Sequence, residues 1–338
     1  MIVKTRIAFL GFRHGHVRDA FKRAGERPDV EVVAASEEDP GVRATLEREG
    51  VVNVTHHDHR ALLEGVDCDA VVVGDVFGRR GKIVADALAA GRHVLSDKPA
   101  CTSLVELDRI EELSRGRKLA VGMMLELRDH GVVIGLRRLV REGAIGEVRS
   151  ASFGGQHPLF LATRPSWYHE PGCHLGTIND IAIHGIDALP WMTGLRVARV
   201  VAAREWQHGV PAGSRFRNAA QVMLAMENGC GVVADVSYLS PDSFGYSLPL
   251  YWRFTLWGSR GVLETALNAG AITLYPEGES AGRTLPADAP NPGGYFDSFL
   301  REIRGEPAGL TTAEVFAASR AALKAQEAAD QGLHDMEV

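Results

Sequence analysis

From residue 5 to about 122, short β-branched apolar runs alternate with longer amphipathic stretches. The runs RIAFLGF (6–12), VEVVAAS (30–36), VVNVT (51–55), DAVVVG (69–74), RHVLSD (92–97) and KLAVGM (118–123) predict strands. Between most of them lie helical patterns such as HVRDAFKRAGE and GKIVADALAAG, the second ending at Gly91, a residue suited to the left-handed position after a helix. Strands alternating with helices predict a parallel, doubly wound α/β sheet, because parallel neighbours need a helical crossover.

The rhythm changes after Gly122. A long helix (about 130–142), a turn at GAIG, a strand (147–154), a Pro/Trp/His-rich loop (156–174) and a helix from about 176 to 193 follow. From Val197 to about Tyr275 the runs VARVVAAREW, NAAQVMLAMENG, CGVVADVSYL, YWRFTLWG and GVLETAL are joined by hairpin-type turns at Glu227-Asn228-Gly229 and Gly258-Ser259. This half predicts an α+β domain on a large, mainly antiparallel sheet. Residues 276–294, rich in Pro, Gly, Ala and Asp, read as a loop. Helices are expected over 295–304 and 312–331, the second opening on a Thr-Thr-Ala-Glu pattern that resembles a capping box. The division expected is a Rossmann-type domain over 1–123 and an α+β domain over 124–338, with the last helix available to pack back on the first domain.

Composition narrows the functional classes. A chain of 338 residues with 45% apolar content can build two cores. The net charge of −6 gives no general attraction for nucleic acid or anionic lipid, so neither is an expected partner. Four dispersed cysteines, Cys68, Cys101, Cys173 and Cys230, form neither a disulfide framework nor a zinc spacing. With no apolar leader after MIVKTRIAFLGF and no run of roughly 20 apolar residues, the expectation is a cytoplasmic protein.

The first strand runs into Gly11-Phe12-Arg13-His14-Gly15-His16, where a dinucleotide fingerprint has G-x-G-x-x-G. Gly11 permits the tight turn, and the following helix N-terminus can receive a diphosphate; a plain strand-to-helix turn is the competing reading. About 25 residues on, Glu37 at the end of the second strand is the candidate for the ribose hydroxyls of NAD, against a turn in which Glu37, Glu38 and Asp39 only cap the next helix. Arg13 leaves the 2′-phosphate of NADP as the alternative.

The fifth run ends in Asp97-Lys98-Pro99, and ligands of an open α/β sheet sit beyond the carboxyl ends of its strands. Lys98 is either a cation aimed into that crevice or simply exposed. In GTINDIAIHGID, Asp180, His184 and Asp187 are spaced to share one helix face, where a carboxylate one turn before an imidazole orients it as a general base; a polar stripe with an ion pair is the alternative. Before it, the loop carries His157, Arg164, Trp167, Tyr168, His169 and His174, either a polar wall for a hydroxylated or anionic substrate or an ordinary surface loop. No tight ligand spacing marks a metal site, so no metal is expected, and His56-His57-Asp58-His59 reads as a solvated turn. Tyr251, Trp252, Phe254 and Trp257 alternate as if along one strand, to pack a sheet face or a subunit interface.

Three segments together resemble the Gfo/Idh/MocA family, the relatives of glucose-fructose oxidoreductase and inositol dehydrogenase. GRHVLSDKPACTSLVELDRI (91–110) resembles the family's E-K-P segment, GTINDIAIHGIDALPWMTG (176–194) its G-x-x-x-D-x-x-x-H-x-x-D helix, and REGAIGEVRSASF (141–153) its helix-to-sheet junction; the closing helices are similar too. The resemblance implies hydride transfer between nicotinamide and a carbinol or carbonyl carbon of a sugar, cyclitol or related polyol, with Lys98, Asp180 and His184 as the catalytic set. His184 would take the hydroxyl proton, Lys98 would stabilise charge on the substrate oxygen, and Asp180 would position the histidine or bind a neighbouring hydroxyl. It also implies a homo-dimer or homo-tetramer formed through the large sheet. The cofactor set expected is Gly11, Phe12, Arg13, His14, His16, Glu37, Asp75, Val76, Phe77, Arg80, Asp97, Lys98 and Pro99, and the substrate set Arg128, Arg164, Trp167, His174, Asp180 and His184. The sequence departs from the pattern at Arg13 and His16, at Asp97 for the usual glutamate, at Asp75-Val76-Phe77-Gly78-Arg79-Arg80 for T-P-x-x-x-H, and at His174-Leu175 in the glycine run before the helix. The competing functional class is a protein of the same fold that binds NAD without net redox turnover, a sensor or a hydrolase-like enzyme.

Overall fold

Five of the apolar runs in the first half lie side by side. In the computed structural model, which describes residues 4–338, β1 (Thr5–Leu10), α1 (Gly15–Gly25), β2 (Val30–Ser36), α2 (Pro40–Glu49), α3 (His59–Gly65), β3 (Ala70–Val73), α4 (Phe77–Ala89), β4 (His93–Ser96), α5 (Leu104–Arg117) and β5 (Val121–Met123) follow in order. The strands form a parallel sheet ordered β2-β1-β3-β4-β5. All four residues of β3 are buried, as an apolar run covered on both faces requires. Chain order reverses between β1 and β3, so their carboxyl ends bound the crevice where such sheets bind ligands.

The run 51–55 is not a strand. Thr55 N–H reaches Ala35 O at 2.9 Å and His56 makes one isolated bridge to Ser36, and Val52 is buried in the core, but the pairing is too short to build a ladder beside β2 and Val51 stays 67% exposed. The histidines after it are not all solvated either. Asp58 caps α3 by accepting from Arg60 N–H at 2.7 Å, and His59 is buried between Glu38 (2.6 Å) and Asp86 (3.1 Å).

Beyond β5, α6 (Gly131–Arg141) and β6 (Val148–Pro158) lead to a π-helical segment (Ile178–Ala182) that continues directly into α7 (Ile183–Thr193). Strands β7 (Val197–Trp206), β8 (Ala219–Met226), β9 (Gly231–Ser240), β10 (Arg253–Gly258), β11 (Gly261–Ala266), β12 (Ala271–Pro276) and β13 (Arg283–Pro286) come next. The chain closes with α8 (Gly294–Ile303), α9 (Thr312–Gln331) and β14 (Met336–Glu337). Among the described residues the second sheet has nine strands, ordered β13-β12-β11-β10-β6-β9-β8-β7-β14, antiparallel except for β6 beside β9. Along β8, Val222, Leu224 and Met226 face inward while Gln221 and Met223 face out.

Three expectations are corrected here. Residues 276–294 are not all loop, because 283–286 pair with β12 as an edge strand. Strand β6 runs on to Pro158, past 154. Tyr251 and Trp252 precede β10: Trp252 has φ +50° and turns inward at 2% exposure, whereas Trp257, within the strand, faces out at 52%.

Contacts divide the chain into two units, residues up to 124 with 293–316, and 125–292 with 317–338. In the first unit Phe296, Phe299 and Leu300 of α8 join a core with Ile7, Phe9, Val72 and Leu95. A Cβ at Gly122 on β5 would stand 2.9 Å from the Phe299 ring, so only glycine admits that helix so closely. In the second, α7 lies so close to β6 that a Cβ at Gly185 would collide with the Phe153 ring, and Asp187 is held by a bidentate Arg128 at 2.6 and 2.8 Å. Thr311 and Glu314 make the reciprocal capping bonds that open α9. Among the described residues no helix is long and apolar enough to cross a membrane.

Candidate active site

In the first unit the turn after β1 is pinned from both sides: Gly11 N–H donates to Ser36 O at 2.8 Å and Arg13 N–H to Gly74 O at 3.0 Å. Gly11 has φ +84°, and a Cβ there would lie 2.9 Å from the Asp75 amide nitrogen. Helix α1 then starts with no side-chain cap and no acidic residue in its first turn, which leaves its N-terminal amides for an anion. Glu37 is buried, and its two oxygens accept from Phe12 N–H (2.6 Å) and Asp39 N–H (2.8 Å). Burial raises its carboxyl pKa against the pull of those two amides. Arg13 lies 3.5 Å from Asp39, itself the cap of α2, so its cation already faces a carboxylate. A tight glycine turn, a helix N-terminus and an acidic β2 end fit a dinucleotide with free ribose hydroxyls.

Asp97 is the hub of the strand mouths. Fully buried, it meets His14 Nδ1 (2.7 Å), His16 Nδ1 (3.0 Å) and Arg80 Nη2 (3.1 Å), and accepts from Lys98 N–H at 2.7 Å. Burial opposes its ionisation, but Arg80 and the two imidazoles outweigh it and hold the carboxyl well below its usual range. Arg80 also donates to Asp75 O (2.7 Å) and to Lys98 O, and its guanidinium lies 4.5 Å from the Phe77 ring centroid. Asp97 and Arg80 therefore hold Lys98 by its amide and its carbonyl. The two imidazoles and Asp97 are close enough to share an ion, yet the buried Arg80 already neutralises the carboxylate, and the cluster is complete as hydrogen bonds.

The second unit gathers its polar groups around the π-helical segment. Asp180, 0% exposed, accepts from His174 Nε2 at 2.9 Å and from the Tyr238 hydroxyl. Burial and the charge of Asp180 push the Tyr238 phenol well above its usual value, so it stays a donor. Arg164 lies 4.9 Å over Tyr168 and 4.8 Å over Tyr238. His184 is buried with its ring 5.6 Å from Trp252. A cavity of about 720 Å³ opens beside His174, lined also by Tyr168, Trp206, Arg215 and Arg217.

The structure thus brings Asp97, Lys98, Arg80, His14 and His16 together in one unit, and Asp180, His174, Arg164 and Trp167 in the other. Four of the expected residues also serve the packing: Phe12 stacks in the core 6.0 Å from Phe9, Val76 and Phe77 are buried, and Arg128 pairs with Asp187. Asp180 lies in the π-helical segment and accepts from His174, while His184 and Asp187 lie on α7, the first beside Trp252 and the second paired with Arg128. Tyr238 was missed, although the alternation Val232, Ala234, Val236, Tyr238 along β9 marks it as inward-facing.

Residues 5–124 match the profile described as "Oxidoreductase family, NAD-binding Rossmann fold", and residues 133–264 that of the "GFO/IDH/MocA C-terminal domain". Inositol 2-dehydrogenase 1 of Saccharopolyspora erythraea is 26% identical over 88% of this chain and 86% of its own length. The dTDP-3,4-didehydro-2,6-dideoxy-alpha-D-glucose 3-reductase of Streptomyces antibioticus is 30% identical over 77% of this chain and 75% of its own, so the likeness extends well beyond either profile alone. Among solved structures, an oxidoreductase from Thermotoga maritima superposes with a TM-score of 0.84 at 24% identity over 98% of this chain and 100% of that one, which shows a shared fold. The chain belongs to the Gfo/Idh/MocA family of NAD-binding oxidoreductases.

Proposed function

We propose that this oxidoreductase interconverts a carbinol and a carbonyl on a sugar, cyclitol or related polyol. The observation that carries the reading is the buried carboxylate of Asp180, held by an imidazole and a phenol inside an aromatic wall with Arg164 above it. Such a wall suits a polyol, whose hydroxyls need fixed hydrogen-bonding groups and whose C–H faces pack on rings. The names of the relatives, an inositol dehydrogenase and a deoxysugar reductase, support the same class.

When bound, NAD supplies the hydride acceptor at nicotinamide. His184 takes the hydroxyl proton as the carbonyl forms, Lys98 stabilises negative charge on that oxygen, and Asp180 accepts from a neighbouring hydroxyl. Gly11 and the amides opening α1 hold the diphosphate, while Glu37 shapes the turn and disfavours a 2′-phosphate. Following NAD⁺ reduction by myo-inositol and a panel of polyols tests this. Lys98→Ala and His184→Ala should each lower turnover by about 10²-fold or more while NADH still binds; unchanged turnover in both would remove these residues from the reaction.

The outer face of the large sheet exposes Met223, Val233, Trp257 and Tyr275, and supports assembly of a homo-dimer or homo-tetramer through that face. Light scattering should give a dimer or tetramer mass, and Val233→Asp with Trp257→Asp should reduce it to that of a single chain.

A further inference from the structure

We propose that His174 is a positioning residue that, with Tyr238, keeps Asp180 ionised and fixed as an acceptor of substrate hydroxyls. This rests on the reading of Asp180 as a reacting-site group. It adds a residue that stands where the glycine run before the helix is broken by His174-Leu175.

The imidazole is wired in one sense. Gly176 N–H points at His174 Nδ1 at 3.3 Å, so Nδ1 is the acceptor and the proton lies on Nε2, which faces Asp180 Oδ2 at 2.9 Å. The amide is itself held in place, because Gly176 has φ +117° and a Cβ there would collide with Gln326. The ring is clamped by aromatics, its centroid 4.9 Å from Tyr168 and 4.6 Å from Phe216.

Burial alone would drive a carboxyl to hold its proton and become a hydrogen-bond donor. Two donors on the charged form reverse this, and they leave further lone pairs for a hydroxyl. The titratable and charged groups around Asp180 are His174 and, from the same loop, Arg164 and Tyr168, Tyr238 from β9, Tyr246 from the loop before β10, and His184 one turn along the helix. His174 and Tyr238 hydrogen-bond the carboxylate directly. His174 and Tyr238 together therefore favour an Asp180 that offers acceptors over one that offers a proton, which sets the hydroxyl pattern the site will take.

Carboxyl NMR of the full chain labelled with ¹³C-aspartate, with the Asp180 signal assigned by its loss in Asp180→Asn, reads this without any substrate. His174→Phe keeps the aromatic packing and removes the donor; it should move the Asp180 titration up by about one pH unit or more. His174→Gln, which keeps an N–H, should largely restore it, and Tyr238→Phe should move it in the same direction as His174→Phe. Nitrogen-15 spectra of the unmodified chain should show His174 protonated at Nε2. A proton on Nδ1, or the same Asp180 titration in His174→Phe as in the unmodified chain, overturns the proposal and leaves the polyol reading standing. Full activity of Asp180→Asn removes the polyol role of that carboxylate and leaves the titration result intact.

Discussion

The imidazole of His14 is neutral near pH 7, because burial lowers its pKa to about 4 against the attraction of Asp97. The folded value lies below the unfolded one near 6.5, so between the two the unfolded chain binds more protons and stability rises with pH. The contribution is present above pH 6.5 and is lost as pH falls toward 4, up to about 3 kcal/mol. His14→Gln should flatten the pH dependence of the urea midpoint in that window. Glu38 and Asp29, whose carboxyls are lowered to about 2, lose their contributions mainly below about pH 4.5, at the lower edge of that window. At this scale, residue type and place were legible at Gly11, Asp97 and Lys98, since a turn and a strand mouth are local features. Not all partners were: the carboxylate of Asp180 meets His174 six residues back and Tyr238 on a distant strand, which its spacing from His184 does not reveal. Which donors reach a buried charge depends on tertiary packing, to which helix periodicity is blind.

Elements were legible where both faces of a run are buried or where one alternates cleanly, as in β3 and β8. They failed where composition and burial part company. The run 51–55 is β-branched but half exposed, whereas 283–286 lies in a polar stretch and becomes a strand only because β12 offers an edge. The π segment has no signature in the pattern, because the extra residue changes hydrogen bonding and leaves the apolar spacing nearly intact. Gly185, at the packing of α7 on β6, gives the element-scale prediction: Gly185→Ala should cost about 1–3 kcal/mol, read as a lower thermal midpoint, because the added methyl must displace Phe153 or the helix.

For the whole molecule, a parallel sheet followed by an antiparallel one was readable from the order of the runs, and the sheet topologies agree. The placement of the last helices was less so, since an amphipathic helix announces that it has a buried face and not which core receives it. Helix α8 supplies Tyr295, Phe296, Phe299 and Leu300 to the core of the first unit from a point in sequence far beyond β5. Phe299→Ala should therefore destabilise the cofactor-binding unit by about 3–5 kcal/mol, measured by denaturant unfolding alongside the loss of NADH binding. The same arrangement bears on how such a chain can be recombined. A gene fusion cut at residue 124 would carry five strands without the helix that covers them, and α9 begins in one unit and finishes in the other. Exchange of the nucleotide half between homologues must then carry two separate stretches of the gene, so the unit travels as a matched pair or not at all.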